Sequence, residues 1–247
     1  MADKRRVDLL LTERGHAPSR AAAQALVLAG QVFSGERRIE KPGVELRADA
    51  ELTVRAGPRF VSRGGEKLEG ALQALGLDVQ DRICVDLGAS TGGFTDCLLQ
   101  RGAQKVYAVD VGYGQLAAKL ASDPRVVVRD RTNARHLTRL DFDDEIALAV
   151  VDASFISLDK LLPALCSILG PGAELLALVK PQFEVGREEA RRGKGVIRDL
   201  DVRERAIRSV IAAIGGNGFR IVRSIDSTLP GPKGNVEHFV LAARDPS

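Results

Sequence analysis

From residue 82 onward, short apolar runs alternate with segments of helical periodicity, and this pattern constrains the fold more than any other feature. Strands are predicted at residues 83–87, 106–110, 126–128, 146–152, 175–180, 220–225 and 238–243. Apolar strands that alternate with helices form a parallel sheet covered on both faces. The stretch before the last strand is short and has no helical pattern, which favours a hairpin. The predicted fold class is therefore α/β: a Rossmann-like sheet, mostly parallel, with an antiparallel last strand.

The N-terminal quarter is expected to form a separate, small α+β domain. Residues 6–54 combine a helix that ends near Gly15, a second helix N-capped by Ser19, and short strands. The stretch 56–58 contains Gly and Pro, which interrupt regular structure. We expect a first domain at 1–57, a linker at 58–66 and a second domain at 67–247.

Positive charge is concentrated in that N-terminal quarter, although the net charge of the chain is only +3. Residues 1–67 hold 13 Lys and Arg against 9 Asp and Glu, whereas the other residues hold 23 against 24. Such an excess is typical of a surface that meets a polyanion, and a solvated basic face explains it equally well.

Composition argues against a metal site and a membrane protein. Cys84, Cys97 and Cys166 are far apart and lack metal-ligand spacing, so we expect buried free thiols in a reducing cytosol. The N-terminus leads into no apolar signal segment, and the least charged stretch, 161–179, is broken by Pro and Gly. We predict no metal, no membrane span and a cytoplasmic location.

A glycine-rich loop follows the first strand of the second domain and reads D-x-G-x-x-x-G-G. A dinucleotide site has G-x-G-x-x-G instead, and a carboxylate before the first glycine repels a pyrophosphate. This carboxylate suits the cationic methionine end of S-adenosylmethionine, with a nicotinamide cofactor as the alternative. The predicted cofactor-binding residues lie in the loop and after the next two strands: Asp86, Gly88, Ser90, Thr91, Gly92, Gly93, Phe94, Asp110, Val111 and Asp130.

Four charged residues are predicted to converge at the edge of the sheet where ligands bind. Asp152 and Lys180 end the fourth and fifth strands, and Glu237 begins the antiparallel last strand, which puts it at the same edge. Lys67 precedes the first helix of the domain. Singly, Lys67 and Glu237 could be solvated and Asp152 could cap a helix, but an amine that ends a buried strand must have a partner or a perturbed pKa.

Two resemblances give these patterns a biochemical meaning. The run SRAAAQALVLAGQVFSGERRIEKPG resembles the S4-like RNA-binding domain, whose basic helix corresponds here to Arg20. The whole chain resembles the TlyA-type hemolysin A family, whose members combine S4-like and FtsJ-like methyltransferase domains. Seven blocks carry this resemblance: SRGGEKL, DLGASTGGFT, VDVGYGQ, RTNAR, VDASFIS, VKPQFE and GNVE.

The second resemblance implies an S-adenosylmethionine-dependent enzyme that methylates the 2′-oxygen of cytidines in ribosomal RNA, with ribosomal RNA or a ribosomal subunit as partner. The family's catalytic tetrad falls on Lys67, Asp152, Lys180 and Glu237. A ribose hydroxyl must lose its proton as it attacks a methyl group, and Lys180, held partly out of water, is the candidate base. The VDASFIS block lacks the two prolines typical of base N-methylation, and DNA has no 2′-hydroxyl.

Basic residues beside these blocks are the candidate RNA contacts. A segment after Glu184 is rich in arginine and glycine and could grip phosphates, although an ordinary charged loop reads similarly. The predicted RNA-binding residues are Arg6, Arg20, Arg59, Arg63, Arg187, Arg191, Arg192 and Lys194.

Two other functions compete with methyl transfer. A membrane-active hemolysin needs an apolar span or an amphipathic insertion segment, and the sequence shows neither. An RNA-binding ribosome-assembly factor without catalysis would not need the complete tetrad.

Overall fold

A computed structural model describes residues 3–186, 189, 191, 195–231 and 233–245. The chain divides into two compact units, Met1–Arg59 and Phe60–Ser247. Each has its own apolar core.

The first unit packs two helices and short strands around Val7, Leu11, Val27 and Ile39. Ser19 N-caps the second helix by accepting a hydrogen bond from the backbone N–H of Ala22, as predicted. The elements are β1 (Lys4–Arg6), α1 (Val7–Glu13), α2 (Arg20–Leu28), β2 (Val32–Ser34), β3 (Arg37–Arg38), β4 (Glu45–Arg47) and β5 (Thr53–Val54). β1 pairs with β4, and β2 pairs with both β3 and β5, all antiparallel.

The second unit alternates strands and helices. Its strands are β6 (Ile83–Leu87), β7 (Lys105–Val109), β8 (Val126–Arg129), β9 (Ile146–Val151), β10 (Leu169–Val179), β11 (Phe219–Asp226) and β12 (His238–Arg244). Its helices include α3 (Arg63–Leu75), α4 (Gly93–Gln100), α5 (Ala118–Ala121), α6 (Leu162–Ile168), α7 (Pro181–Glu184) and α8 (Leu200–Gly216). Three short 3₁₀ turns lie at Ala134–His136, Arg139–Asp141 and Leu158–Lys160.

These strands form one sheet in the order β11-β12-β10-β9-β6-β7-β8, which confirms the predicted fold class. β12 runs antiparallel to both β10 and β11, whereas β6 to β10 pair in parallel. His238 at the start of β12 pairs with Val179 at the end of β10. Glu237 therefore enters at the edge where the parallel strands end, because the hairpin reverses the chain direction.

The segment that sequence analysis assigned to a linker differs from that expectation. Phe60 is buried in the core of the second unit, and α3 already begins at Arg63 after its N-cap Ser62. Glycine permits this early start: a Cβ on Gly65 would lie 2.3 Å from the Phe60 ring, and one on Gly93 would lie 2.2 Å from Ser62 Oγ. Gly65 and Gly93 thus allow α3 and α4 to begin in close contact.

The cysteines are free. Cys84 and Cys97 are buried as predicted, and burial raises the pKa of Cys84 to about 12, so its thiol stays protonated. Cys166 is only half-buried, contrary to expectation. Within the ranges that the structure describes, no helix is long and apolar enough to cross a membrane, and no cluster of side chains could hold a metal ion.

Candidate active site

Two adjoining cavities open at the edge of the sheet where the parallel strands end. The larger has a volume of about 870 Å³ and the smaller about 360 Å³, and both reach Gly88, Ser90 and Asp152. Lys67, Asp152, Lys180 and Glu237 all line the larger cavity. The four residues assigned to the tetrad are therefore brought to one space.

Lys180 is held by the end of β9. Its Nζ lies 2.6 Å from Asp152 Oδ1 and donates to Ser154 Oγ at 2.8 Å and to the Asp152 carbonyl at 3.3 Å. The Lys180 side chain is 11 % exposed. The amine that ends a buried strand is thus paired, and three oxygens fix its direction in the cavity.

Lys67 and Glu237 form a second ion pair. The Lys67 Nζ and Glu237 Oε2 atoms are 2.5 Å apart, and their side chains are 8 % and 1 % exposed. Charges this far out of water persist only when paired. Glu237 Oε1 is buried and has no hydrogen-bond partner among the residues described. The cavity therefore holds two lysine–carboxylate pairs, and the two members of each pair lie in or next to different strands or helices.

The glycine-rich loop forms the boundary between the two cavities. Gly88 has φ +90°, and a Cβ there would lie 2.9 Å from the Asp152 carbonyl oxygen, so the loop passes directly beside the end of β9. Thr91, Gly93 and Phe94 also line the larger cavity. Gly92 lines neither cavity. Instead, it leaves space for Leu120, whose side chain a Cβ would meet at 2.4 Å.

Asp110 and Val111, two of the predicted cofactor contacts, line the smaller cavity. Asp110 Oδ2 accepts a hydrogen bond from the Ser90 N–H at 2.8 Å, and Oδ1 accepts one from the Gly112 N–H at 2.7 Å. Each oxygen keeps a further lone pair for a ligand hydroxyl. Asp130 is different: it lines neither cavity and accepts from the Gly114 N–H at 2.8 Å.

Asp86 lies beneath the loop, fully buried, and lines neither cavity. Its Oδ2 accepts from the backbone N–H of Thr95 at 2.9 Å and from Thr95 Oγ1 at 2.7 Å, whereas Oδ1 is buried without a partner in the described part of the chain. Burial, reinforced by the charges of Asp152 and Asp110, raises the pKa of Asp86 to about 7 despite the bonds from Thr95.

These carboxyl groups suit a cationic ligand. Asp86, Asp110 and Asp152 end or follow adjacent strands, and a positive group beside them would stabilise all three. An anionic pyrophosphate would instead meet the carboxylates of Asp110 and Asp152. The donor set and the narrow loop at Gly88 therefore fit a sulfonium-bearing adenosine better than a dinucleotide.

Sequence reasoning missed Glu184, which connects the two loops that carry Asp152 and Lys180. It accepts from Ser157 Oγ at 2.8 Å and from the Leu158 N–H at 3.0 Å, and its burial raises its pKa. An aromatic pair lies on these loops: the rings of Phe155 and Phe183 are 5.1 Å apart. Phe155 is 90 % exposed and has φ 64°, which is strained for a residue with a Cβ.

Asn235 is a second polar residue beside the larger cavity that the sequence did not single out. It is 3 % exposed and clamps a neighbouring loop, since its side chain donates to the Gly195 carbonyl and accepts from the Ile197 N–H, both at 2.8 Å. Glu184 and Asn235 lie inside the VKPQFE and GNVE blocks. A polar residue within such a block was the signal that the sequence offered.

The predicted RNA contacts fall into three groups. Arg63 and Arg191 line the larger cavity, and Arg63 also donates to the Pro230 carbonyl at 3.0 Å. Arg6, Arg20 and Arg59 belong to the first unit and are at least partly exposed. Arg187, Arg192 and Lys194 lie outside the described residues. Lys233, which sequence reasoning did not include, adds another cation to the lining of the larger cavity.

The fold and this site define a class: a methyltransferase with a Rossmann-like sheet, a small N-terminal α+β module and two lysine–carboxylate pairs beside the glycine-rich loop. Family models agree with both parts. Residues 60–244 match the FtsJ-like methyltransferase model, and residues 5–52 match the S4 domain. The methyltransferase fold and family imply dependence on S-adenosylmethionine.

Individual relatives extend over nearly the whole chain. The chain is 47 % identical to the 16S/23S rRNA (cytidine-2′-O)-methyltransferase TlyA of Mycobacterium tuberculosis over 242 residues, 97 % of this chain and 90 % of that one. It is 41 % identical to hemolysin A of Brachyspira hyodysenteriae, covering 96 % and 100 %. A solved structure of a hemolysin candidate from Streptococcus thermophilus matches with TM-score 0.75 and 41 % identity, covering 100 % and 90 %. The chain belongs to the FtsJ-like methyltransferase family, among the S4-containing proteins of the TlyA type.

Proposed function

We propose that this chain transfers a methyl group from S-adenosylmethionine to the ribose 2′-hydroxyl of a cytidine in ribosomal RNA. The observation that carries the proposal is the convergence of Lys67, Asp152, Lys180 and Glu237 on one cavity beside the glycine-rich loop. The name of the Mycobacterium tuberculosis relative states the same reaction for that protein. Ribosomal RNA as substrate would place the enzyme in the cytoplasm.

The smaller cavity is the proposed site for the adenosyl part of the cofactor. Asp110 would accept hydrogen bonds from its ribose hydroxyls, and Val111, which is 72 % exposed, would lie against the adenine ring. Gly88 and Ser90 line both cavities, so the methionine part would pass along this loop towards Asp152. Asp86 would favour the cationic end from beneath the loop. When bound, S-adenosylmethionine supplies an electrophilic methyl group on a sulfonium.

The larger cavity is the proposed site for the target ribose. With S-adenosylmethionine bound, the 2′-oxygen would take its methyl group, the O–C bond forming as the S–C bond breaks. The hydroxyl proton would pass to the Lys180 amine after that amine has released the proton that it holds in the pair with Asp152. Asp152 and Ser154 position that amine. Lys67, itself positioned by Glu237, would hold the ribose oxygen in line. Most of the rate gain from such a site comes from orientation together with proton removal.

The surroundings of the larger cavity suit a nucleotide. Arg63, Arg191 and Lys233 contribute positive charge for phosphates. The exposed Phe155 ring offers a face on which a nucleobase can stack. The first unit, proposed as an S4-type docking module spanning about residues 1–57, would bind the RNA at a second place through Arg6 and Arg20.

The test is methyl transfer to ribosomal particles that lack the modification. Purified protein is incubated with labelled S-adenosylmethionine and, separately, small subunits, large subunits and free ribosomal RNA, and 2′-O-methylated positions are then mapped. Label on a cytidine ribose, absent with Lys180→Ala, is expected. Label on a base, or equal label with Lys180→Ala, would overturn the proposal.

A further inference from the structure

A fully buried carboxylate joins the two arginines that the first unit offers to RNA. Asp8, in the first turn of α1, is 0 % exposed and accepts four hydrogen bonds. Arg6 donates two of them, from Nε to Oδ1 at 3.0 Å and from Nη2 to Oδ2 at 2.8 Å. Arg20 Nε donates at 3.0 Å and Gln24 Nε2 at 2.9 Å, both to Oδ2.

The arginines in this cluster remain accessible although their anchor is not. The side chains of Arg6 and Arg20 are 40 % and 53 % exposed. Among the described residues, no hydrogen bond uses Arg6 Nη1 or either terminal nitrogen of Arg20. Asp8 therefore holds one edge of each guanidinium group and leaves N–H donors directed away from itself.

The cluster also has the charge that a polyanion site needs. Two guanidinium groups and one carboxylate leave a net charge of +1. Hydrogen bonds, above all from Arg6, hold the pKa of Asp8 below its usual range, so the carboxylate stays charged at working pH. Because arginine side chains are otherwise flexible, fixing both in advance reduces the entropy lost on binding.

We infer that Asp8 is a positioning residue for RNA binding: it fixes Arg6 and Arg20 as a two-arginine fork for the phosphodiester backbone. This inference rests on the proposed function, in which the first unit docks on ribosomal RNA. The expected change in RNA affinity has an unusual direction. Removal of a negative charge from an RNA-binding surface ordinarily strengthens binding, whereas removal of this one should weaken it.

The experiment measures the affinity of the full-length protein for ribosomal RNA across a salt series. Asp8→Asn should weaken binding about tenfold, the effect of losing one charge-assisted contact. The slope of log affinity against log salt concentration should become shallower by about one. Glu13→Gln also removes one carboxylate from this unit, but from an exposed pair with Arg5. This control should bind RNA as tightly as the wild type or more tightly. Unchanged or stronger binding by Asp8→Asn would overturn the inference.

Two further variants separate positioning from folding. Leu11→Ala destabilises the same core, because Leu11 is apolar and 0 % exposed, and it removes none of the hydrogen bonds to the Asp8 carboxylate. If Asp8→Asn loses no more RNA affinity than Leu11→Ala at equal loss of thermal stability, Asp8 is structural only and the inference fails. In the Arg6→Ala/Arg20→Ala background, Asp8→Asn should cause no additional loss of affinity. An additional loss of RNA affinity in that background would show that Asp8 does not act through the two arginines, and this too would overturn the inference.

The same variants distinguish failure of this inference from failure of the proposed function. Arg6→Ala/Arg20→Ala alone should weaken binding and lower the salt slope by about two. If this variant binds RNA like the wild type, the first unit does not dock through these arginines and the proposed division of roles falls with the inference. If it loses affinity and Asp8→Asn does not, only the inference falls.

Discussion

Lys67 and Glu237 are 170 positions apart in the chain, yet their charged atoms lie 2.5 Å apart in a nearly dry environment. One residue belongs to the first helix of the catalytic unit and the other immediately precedes its last strand. The pair can therefore form only when β12 has joined the sheet and α3 packs beside it. This part of the site thus depends on completion of the fold.

Removal of one member of this pair should cost stability as well as activity. Glu237→Leu leaves a buried, uncompensated ammonium and is expected to lower the free energy of unfolding by about 3–5 kcal/mol. The double variant Lys67→Met/Glu237→Leu should recover most of that loss, because no buried charge remains, and should still be inactive. Urea unfolding and a methyl-transfer assay measure the two effects. Recovery of turnover in the double variant would show that the pair is structural only.

Lys180 is expected to act as a base rather than as a charge. Lys180→Ala should abolish methyl transfer and leave cofactor affinity nearly unchanged. Lys180→Arg preserves the positive charge opposite Asp152, but a guanidinium group does not lose its proton and so cannot accept another. It should be as inactive as Lys180→Ala. Single-turnover methyl transfer with folded protein decides this, with the exposed Lys160→Ala as control. Substantial turnover by Lys180→Arg would leave Lys180 with an electrostatic role only.

Cofactor affinity should depend on Asp110 much more than on Asp130. Asp110→Ala removes a carboxylate that lines the smaller cavity. The binding free energy of S-adenosylmethionine should weaken by about 1–3 kcal/mol, which is the usual effect of losing hydrogen bonds to a charged group. Asp130→Ala removes a carboxylate that lines neither cavity and should change much less. Calorimetry on both variants gives the comparison. Equal effects would mean that the ribose is bound elsewhere.

Sequence alone predicts most of this architecture because its signals are local or topological. The apolar strands fix the sheet, and the antiparallel β12 brings Glu237 to the edge that holds Asp152 and Lys180. The convergence of Asp152, Lys180 and Glu237 on one edge of the sheet could therefore be predicted from the sequence. Asp86 was assigned to the cofactor because it precedes the loop, but the side-chain direction at that position depends on Thr95, nine residues later.

Other features depend on contacts that periodicity does not encode. The early start of α3 requires Phe60 to pack where Gly65 has no side chain. The role of Asp8 requires Arg6, Arg20 and Gln24 to meet across two helices and the end of β1. The sequence shows that Asp8 is an acidic residue in an otherwise apolar helical run, but it does not show which residues pair with it.

The raised pKa of Asp86 predicts a specific pH dependence of stability. The unfolded chain loses this proton near pH 4, whereas the folded protein retains it until about pH 7. The folded state thus binds more protons between these values, so the contribution of Asp86 to stability is complete below about pH 4 and declines as pH rises through about 7. Asp86→Asn should remove this slope. In urea unfolding at pH 5, 6 and 7, the free energy of unfolding of the variant should rise relative to that of the wild type as pH rises.

Asp144→Asn serves as the control for that series. Hydrogen bonds from Lys105 and Tyr107 lower the pKa of Asp144, so this group is ionised in both states across pH 5–7 and contributes no slope there. Its difference from the wild type should be constant with pH. A constant difference for Asp86→Asn as well would mean that Asp86 is not the group that titrates near neutrality.

We expect the first unit to dock on RNA and the second unit to bind the cofactor. A truncated protein of residues 59–247 keeps Phe60 and the whole sheet core, so it should fold and bind S-adenosylmethionine. It should lose most of its affinity for ribosomal RNA, because Arg6 and Arg20 are gone. Its remaining binding should depend less steeply on salt, since fewer phosphates are neutralised. RNA titrations at several salt concentrations, with cofactor calorimetry to verify folding, test this. Equal affinities and equal slopes would assign RNA docking to the cations around the larger cavity, Arg63, Arg191 and Lys233, and remove it from the first unit.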